Sequence, residues 1–299
     1  MKKIIFYSFI LSSYIYTTFS IVATDTNTGE IGSAGGSCIQ NSIIISDIHP
    51  GIGAIHTQSY WNSSNQNYAS LLMDQGYSPE EIMLFLEEND IANNPEIRQY
   101  GAVDLLNGGR SASFTGSNCS DWKGHVNDIS YAIQGNILLS SDILDSIEDA
   151  FINKNGTLDQ KLMAGLQGGK IPGADSRCLD EGISTLSAFI RVAQPDDIND
   201  YFMDINIENV TPYFNLTGNW IDPIDTLQTL YDTWYVDNFI YDIGDINQDI
   251  IINVLDIVSL VSYILGDNPN GMQFYLSDLN EDNILNIQDI ILLINIILL

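Results

Sequence analysis

The tail of this chain repeats itself at an interval of 33 residues, from Asp245 to Asp278. Oxygen-bearing side chains occupy positions 1, 3, 5, 9 and 12 of both copies, and position 7 supplies a backbone carbonyl, as in the twelve-residue calcium loop. The first copy consists of Asp245, Asn247, Asp249, Ile251, Asn253 and Asp256, and the second of Asp278, Asn280, Asp282, Ile284, Asn286 and Asp289. Apolar helices are predicted after the loops, at 257–265 and 290–298. The repeat therefore predicts two Ca²⁺ sites in a small all-α tail.

This tail, roughly residues 240–299, resembles a type I dockerin domain, which implies two bound calcium ions and a cohesin as protein partner. Position 6 normally takes glycine, but here it is Ile250 and Asn283. A left-handed backbone costs a β-branched residue roughly 1 to 2 kcal/mol, so the second loop is the better calcium site.

The positions at which such dockerins contact the cohesin depart from the family pattern. They carry Val254 and Leu255 in the first copy and Ile287 and Gln288 in the second, rather than small hydroxylated residues. The identity of the partner therefore stays open. An alternative is a tail that binds calcium and merely caps the main domain.

Residues 1–17 have the pattern of a secretory signal, with Lys2 and Lys3 followed by an apolar stretch. This predicts a secreted, extracellular or cell-surface protein. Cleavage between Thr17 and Thr18 is expected, with cuts after Tyr16 or Ser20 as alternatives. An uncleaved anchor is disfavoured because the stretch is shorter than the roughly 20 residues that span a bilayer. No later segment is apolar enough to span a membrane.

Cleavage before Thr18 would give the mature chain a hydroxyl and a free α-amine on one residue. The α-amine of an unstructured peptide has a pKa of about 7.7 to 8.0, so it can accept the hydroxyl proton near neutral pH. Thr18 is therefore a candidate nucleophile that carries its own base.

The ionic balance limits the possible partners. The chain has 10 Lys and Arg against 39 Asp and Glu, and its last basic residue is Arg191. Such a field repels nucleic acids and anionic membrane surfaces and attracts cations. Ion pairs are the expected role of Arg98 and Arg110, because acids so outnumber bases.

Cysteine and histidine spacing gives no support for a zinc site, since neither residue type shows ligand spacing. Three cysteines, Cys38, Cys119 and Cys178, allow at most one bridge. The three histidines, His49, His56 and His125, are interpreted as turn or core residues.

Between the leader and the tail, strands alternate with helix pairs. This order predicts an α+β domain of four layers, αββα, over residues 18–236, with the boundary to the tail (240–299) near 234–242. Strands are predicted at 18–24, 31–38, 43–46, 52–58, 100–105, 111–115, 131–133, 185–193 and 201–207, and helices at 68–75, 78–86, 142–151 and 158–166. The glycine-rich second strand suggests close approach of another backbone or a substrate.

Several short motifs in this domain resemble the domain-of-unknown-function family 1028, which is related to the N-terminal-nucleophile (Ntn) hydrolases. They are Thr18-Phe19-Ser20-Ile21-Val22-Ala23, Gly29-Glu30, Gly53-Ala54-Ile55-His56-Thr57-Gln58, Arg98-Gln99, Val103-Asp104, Gly109-Arg110, Thr115-Gly116 and Gln134-Gly135-Asn136. The resemblance implies an Ntn-hydrolase-like fold and cleavage of amide bonds through an acyl-enzyme.

By this resemblance, Thr18 is nucleophile and base, Asn136 donates to the oxyanion, and Gln58 orients the substrate. Asn136 also suits a turn, and Gln58 could instead satisfy backbone groups. The alternative function is a non-catalytic, ligand-binding surface protein tethered through its tail, in an assembly that degrades polysaccharides. No closely paired carboxylates identify a glycosidase.

Overall fold

The computed structural model describes residues 18–198, 200–209, 220–238, 242–249, 251–267, 269, 271–280, 282 and 284–298. The expected leader at 1–17 and the two position-6 residues of the tail loops, Ile250 and Asn283, lie outside these residues. The chain divides into two compact units, of which the first ends at Tyr231 and the second begins at Asp232.

Two antiparallel sheets form the centre of the first unit. The larger contains β1 (Phe19–Asp25), β2 (Glu30–Ser37), β7 (Gly124–Asp128), β8 (Tyr131–Gly135), β9 (Ser187–Ala193) and β10 (Met203–Ile207), in the spatial order β10-β9-β2-β1-β8-β7. The smaller contains β3 (Ser46–His49), β4 (Gly53–Ser59), β5 (Arg98–Asp104) and β6 (Arg110–Thr115) in chain order. β1 therefore lies inside the larger sheet, paired with β2 and β8 on its two sides.

A pair of helices packs on each sheet. The pair α1 (Ser63–Asp74) and α2 (Pro79–Glu88) contacts the smaller sheet, and α3 (Asp142–Asn153) and α4 (Leu158–Gly169) contact the larger one. The expected start of α2 is confirmed, since Ser78 and Glu81 form a reciprocal capping box with proline in the first turn.

The inner faces of the two sheets pack against each other. One buried cluster takes residues from both sheets, including Val22 and Ala132 of the larger and Ala54 and Val103 of the smaller. The layers run helix pair, sheet, sheet, helix pair. The predicted mixed α+β architecture is confirmed.

Gly32 of β2 allows a helix to approach the sheet. A Cβ added to Gly32 would collide with Leu162 of α4 and come within 3.2 Å of Leu158. Glycine at this position therefore lets α4 pack closely on the middle of the sheet.

Two local predictions differ from the structure, and two elements were not predicted. Residues 43–46 are predicted as a strand, but Ser42–Ile45 is a 3₁₀ helix because Asn41 turns the chain at φ 60° and the strand starts only at Ser46. Helix α1 begins at Ser63 rather than residue 68, because the Asn62 side chain caps it. Strand β7 and helix α5 (Pro223–Asn238) have no counterpart among the predicted elements.

The second unit contains α6 (Val254–Ile264), α7 (Gly271–Ser277) and α8 (Ile287–Ile297). Its core is the cluster Ile246, Leu260 and Leu293. The helices after the two loops start three residues earlier than predicted, because the position-9 asparagines Asn253 and Asn286 are their N-caps. No helix in the described part of the chain has the length and apolar character needed to cross a bilayer.

One disulfide joins Cys38 to Cys178 across a sequence separation of 140, and Cys119 is free and buried. The bridge ties the end of β2 to residues 175–178, where Asp175 accepts a hydrogen bond from the Cys38 backbone at 2.8 Å. The expectation of at most one bridge holds for the described residues.

Replacing Cys38 and Cys178 together by serine should lower the free energy of unfolding by about 2 to 5 kcal/mol, because a long closed loop restricts the unfolded chain. Chemical denaturation of the oxidised protein measures this. Cys119→Ser is the control, since a hydroxyl retains the donor to the Arg98 carbonyl. Equal stability of the double variant and the control would contradict the prediction.

Candidate active site

Four neighbouring strands each place polar side chains at one end of the space between the sheets. Alternate residues of a strand share a face. Along β1 the inward residues are Thr18 and Ser20, followed by the apolar Val22, and along β5 they are Gln99 and Gly101, followed by Val103. Along β4 they are Ala54, His56 and Gln58, and along β8 they are Ala132, Gln134 and Asn136. Because neighbouring strands run antiparallel, all the polar positions meet at one end. We call Thr18, Ser20, Ser33, Ser46, His56, Gln58, Gln99, Gln134 and Asn136 the polar seam.

Thr18 lies at the start of β1 and is 1% exposed. Its carbonyl oxygen accepts hydrogen bonds from the Asn136 backbone N–H and from Gln58 Nε2, each at 3.2 Å. Its hydroxyl Oγ1 is buried with no hydrogen-bond partner among the described residues. The structure thus brings together the three residues expected at the catalytic centre.

Gln99 connects the two amides beside Thr18. Its Oε1 accepts from Gln58 Nε2 at 2.8 Å and from Asn136 Nδ2 at 3.0 Å. The Oδ1 atom of Asn136 is buried and has no partner in the described part of the chain. Asn136 therefore has an unused acceptor, and Thr18, to whose carbonyl its backbone N–H donates, has an unused hydroxyl.

A second set of hydrogen bonds runs from Gln58 into the sheet interface. Ser20 Oγ donates to Gln58 Oε1 at 2.7 Å and accepts from Gln134 Nε2 at 2.7 Å. Gln134 Nε2 also lies 3.3 Å from His56 Nδ1, and His56 Nε2 lies 2.6 Å from Ser33 Oγ. The Gln134 amide fits because β5 has Gly101 opposite it, where a Cβ would collide with Oε1.

Left-handed backbone follows both amide residues. Ser59, directly after Gln58, has φ 68°, and Ile137, directly after Asn136, has φ 51°. A non-glycine residue pays about 1 to 2 kcal/mol for this conformation, more so when it is β-branched. Such outliers concentrate at functional sites, where the surrounding structure enforces them.

The seam is electrically neutral at pH 7. Burial and the positive charge of Arg191 together lower the pKa of His56 to about 3.

The ion pairs expected for two arginines are confirmed, as Arg98 pairs with Asp90 at 2.8 Å and Arg110 with Asp104 at 2.5 Å. These four residues balance each other and leave the seam to hydroxyls and amides.

Sequence reasoning places Thr18, Gln58 and Asn136 at the site but misses Ser20, Gln99 and Gln134. All three are visible inside the family-like motifs. The signal that could have identified them is the alternation described above, because a strand that buries polar residues at every second position must pair them with similar residues on a neighbour.

Two of the three histidines lie at a turn or in the core, as the sequence predicts. His56 lies in the core and His49 lies next to a turn, where it contacts Asp74 at 2.6 Å. His125 differs, since it is exposed on the unpredicted strand β7 with its Nδ1 2.8 Å from Thr115 Oγ1.

The two tail loops adopt the same local geometry. In the first, the Asp249 N–H donates to Asp245 Oδ1 at 3.1 Å and to Asn247 Oδ1 at 3.0 Å. In the second, the Asp282 N–H donates to Asp278 Oδ1 at 3.0 Å and to Asn280 Oδ1 at 3.1 Å. The side chains of positions 1 and 3 therefore converge on the backbone N–H of position 5 in both copies.

The residues at positions 7, 9 and 12 also repeat their contacts. Asn253 Nδ2 donates to the Ile251 carbonyl and Asn286 Nδ2 to the Ile284 carbonyl, both at 3.0 Å. The carboxylates of Asp256 and Asp289 are fully buried and accept backbone N–H groups within their loops. Among the described residues, no three acidic, histidine or cysteine side chains lie grouped as a metal site.

A family model described as a family of unknown function, DUF1028, matches residues 18–214. The chain belongs to this family. The match contains both sheets and the whole polar seam, and it begins at Thr18. The two tail loops lie outside the DUF1028 region.

Two solved structures resemble the chain. A crystal structure of a DUF1028 protein from Silicibacter pomeroyi has 26% sequence identity and a TM-score of 0.59, covering 73% of this chain and 89% of that one. Anbu (ancestral beta-subunit) from Yersinia bercovieri has 15% identity and a TM-score of 0.38, covering 76% and 98%, a likeness too low to carry an argument. No curated protein matches the chain significantly.

The histidines of the DUF1028 region should titrate in a distinct order, which NMR of the imidazole resonances measures. For His49, burial lowers the pKa, but Asp47 and Asp74 outweigh it and raise the pKa above 6.5. His56 should titrate last, at about pH 3. A His56 that titrates near 6.5 would contradict its burial in the seam.

The depressed pKa of His56 also predicts a pH dependence of stability. Between pH 6.5 and about 3 the unfolded chain binds a proton at His56 and the folded chain does not. Stability should therefore fall as pH falls through this range, by up to about 1.4 kcal/mol per pH unit from this residue. The difference between wild type and His56→Gln across the range isolates the contribution.

Proposed function

We propose that this chain is a secreted amidohydrolase of the N-terminal-nucleophile type, in which Thr18 becomes the first residue when the leader is removed. The observation that carries the proposal is the convergence of Thr18, Gln58 and Asn136, with the Thr18 hydroxyl buried and unpaired. The family match that begins at Thr18 supports the position of the cut.

The chemistry follows from the two groups of Thr18. The α-amine takes the hydroxyl proton while Oγ1 attacks the substrate amide carbon, so a C–O bond forms and the carbonyl oxygen becomes an oxyanion. The amine then returns the proton to the leaving nitrogen as the C–N bond breaks. Water hydrolyses the resulting Thr18 ester and regenerates the hydroxyl.

The surroundings of Thr18 favour an internal base over a histidine. His56 hydrogen-bonds Ser33 and Gln134 rather than Thr18, and its pKa of about 3 makes it a weak base. The α-amine needs no partner residue. Asn136, with one side-chain N–H not used by Gln99, is the proposed oxyanion donor, and Gln58 is the proposed orienting residue.

Thr18→Ala should abolish acylation of the secreted protein by a β-lactone probe, since the nucleophile is removed, with a loss of about 10³-fold or more. Intact mass before and after labelling measures both the mature N-terminus and the adduct. Thr18→Ser is the matched control, because it retains hydroxyl and amine.

Three outcomes would overturn this assignment. A mature chain that starts anywhere but Thr18 lacks the catalytic amine. A Thr18→Ala protein that labels as fast as wild type places the nucleophile elsewhere, and a wild-type protein that never labels favours a non-catalytic binding role.

We further propose that the second unit is a dockerin-like module that binds calcium. Ca²⁺ prefers oxygen ligands, and in both loops the side-chain oxygens of positions 1 and 3 already point at the backbone N–H of position 5. The donor set uses asparagine and backbone oxygens as well as acids, so it does not depend on three grouped carboxylates. Bound calcium would neutralise the repulsion among these acids.

A cohesin-type protein is the proposed partner of this module. Large apolar side chains are exposed on both loop-helix copies, among them Val254, Leu255 and Val258 in the first and Ile287 and Ile291 in the second. Exposed apolar patches of this kind mark interaction surfaces. Two of these positions recur at the 33-residue interval, Val254 as Ile287 and Val258 as Ile291, as expected of a duplicated docking unit.

Calcium should raise the thermal stability of the second unit, by about 2.7 kcal/mol when calcium is at one hundred times its Kd. Calorimetry with calcium and with a chelator measures the shift. Asp245→Asn with Asp278→Asn should remove it, whereas Asp267→Asn, outside the loops, should not. A melting temperature unaffected by the chelator would refute calcium binding.

A further inference from the structure

Gln99 is the one seam residue that contacts both amides beside Thr18, and its own orientation is fixed by backbone groups. Its Nε2 lies 3.0 Å from the Gly124 carbonyl oxygen and 2.9 Å from the Gly135 carbonyl oxygen. A carbonyl oxygen can only accept a hydrogen bond. The amide nitrogen of Gln99 must therefore face these two carbonyls, and its oxygen must face the site.

This orientation dictates that of Asn136 and agrees with that of Gln58, whose amide the Thr18 carbonyl also orients. Gln99 Oε1 can only accept, so Gln58 and Asn136 must both turn their NH₂ groups towards it. Gln58 then has its oxygen free for the Ser20 hydroxyl and its second N–H for the Thr18 carbonyl. Asn136 is left with one unused N–H and the unpaired Oδ1.

Without Gln99, no other hydrogen bond from the described residues would distinguish the nitrogen of the Asn136 side chain from its oxygen. A free amide could rotate by 180° and present oxygen where a donor is needed. An oxyanion is stabilised only by donors aimed at it.

We infer that Gln99 is a positioning residue for the reaction at Thr18, which sets the amide orientation of Asn136 so that Asn136 presents an N–H to the oxyanion. This inference rests on the proposed function and adds a residue to it. Gln99 acts through its neighbours and does not touch the substrate.

The test compares Gln99→Met with wild type in acylation of the mature protein by a β-lactone probe. Methionine keeps the length of the side chain but removes both the donor and the acceptor. We expect kinact to fall about 10² to 10³-fold, the loss found for one oxyanion donor, with little change in KI. Thr115→Val is the matched control, because it removes another contact of Gln99 Nε2 and leaves both carbonyls in place.

A spectroscopic readout separates positioning from loss of structure. In ¹⁵N spectra of the side-chain amides, Asn136 and Gln58 should show N–H protons shifted by their bonds to Gln99 and slow to exchange. Gln99→Met should remove this signature at both residues while the backbone spectrum stays folded. Spectra of Asn136→Asp and Gln58→Glu identify the resonances. If Gln99→Met does not fold, Gln99→Asn, which retracts the amide by one methylene, takes its place.

The outcomes distinguish the two proposals. Unchanged kinact in the Gln99 variant, or unchanged Asn136 and Gln58 amide resonances, would overturn the positioning role. If wild type itself is never acylated at Thr18, the proposed function fails, and the positioning role, which rests on it, fails with it. In that case a loss of the amide signature would assign Gln99 a structural role only.

Discussion

The buried amides and hydroxyls between the two sheets must find their hydrogen bonds inside the protein. Leaving one such group unpaired costs about 1 to 3 kcal/mol, so a polar seam in a sheet interface forms only where its members satisfy one another. Gln99 links several of these groups. Its amide nitrogen donates to two backbone carbonyls, and its amide oxygen accepts from the side chains of Gln58 and Asn136. The unpaired exceptions include Thr18 Oγ1 and Asn136 Oδ1, which lie on adjoining strands.

Much of the fold was predictable where local chemistry decides it. Ser78 begins α2 through a capping box and Pro79. What the sequence does not show is which strands pair. β1 pairs with β8, more than a hundred residues further along the chain, so the neighbour of Thr18 is set by packing rather than by any local pattern. The strand predicted at 43–46 was wrong for a local reason, because the left-handed Asn41 redirects the chain just before it.

The site was predictable only in part, because its residues come from strands that are distant in the sequence. Motif resemblance identified Thr18, Gln58 and Asn136, whereas Gln99 gains its role only when β5 lies opposite β1 and β8. The strained residues after the two amides carry no sequence signal, since serine and isoleucine are poor left-handed residues. The conformation of Ile137 is held by backbone bonds to Ser120 and Ser176. Ser176 lies in the segment that the disulfide anchors, so the bridge supports the site from outside the seam.

The position of β1 also bears on where the leader proposed at residues 1–17 would be cut. A cut after Ser20 would remove Phe19, which is fully buried, and loss of such a side chain costs about 3 to 5 kcal/mol. It would also remove the hydroxyl that bonds Gln58 and Gln134. A cut after Tyr16 would keep the strand but leave Thr17 joined to the nitrogen of Thr18, so no free amine would lie beside the hydroxyl. Of these three cuts, the proposed one between Thr17 and Thr18 is the one that would both preserve the core of the sheet and create the base that the neutral seam lacks.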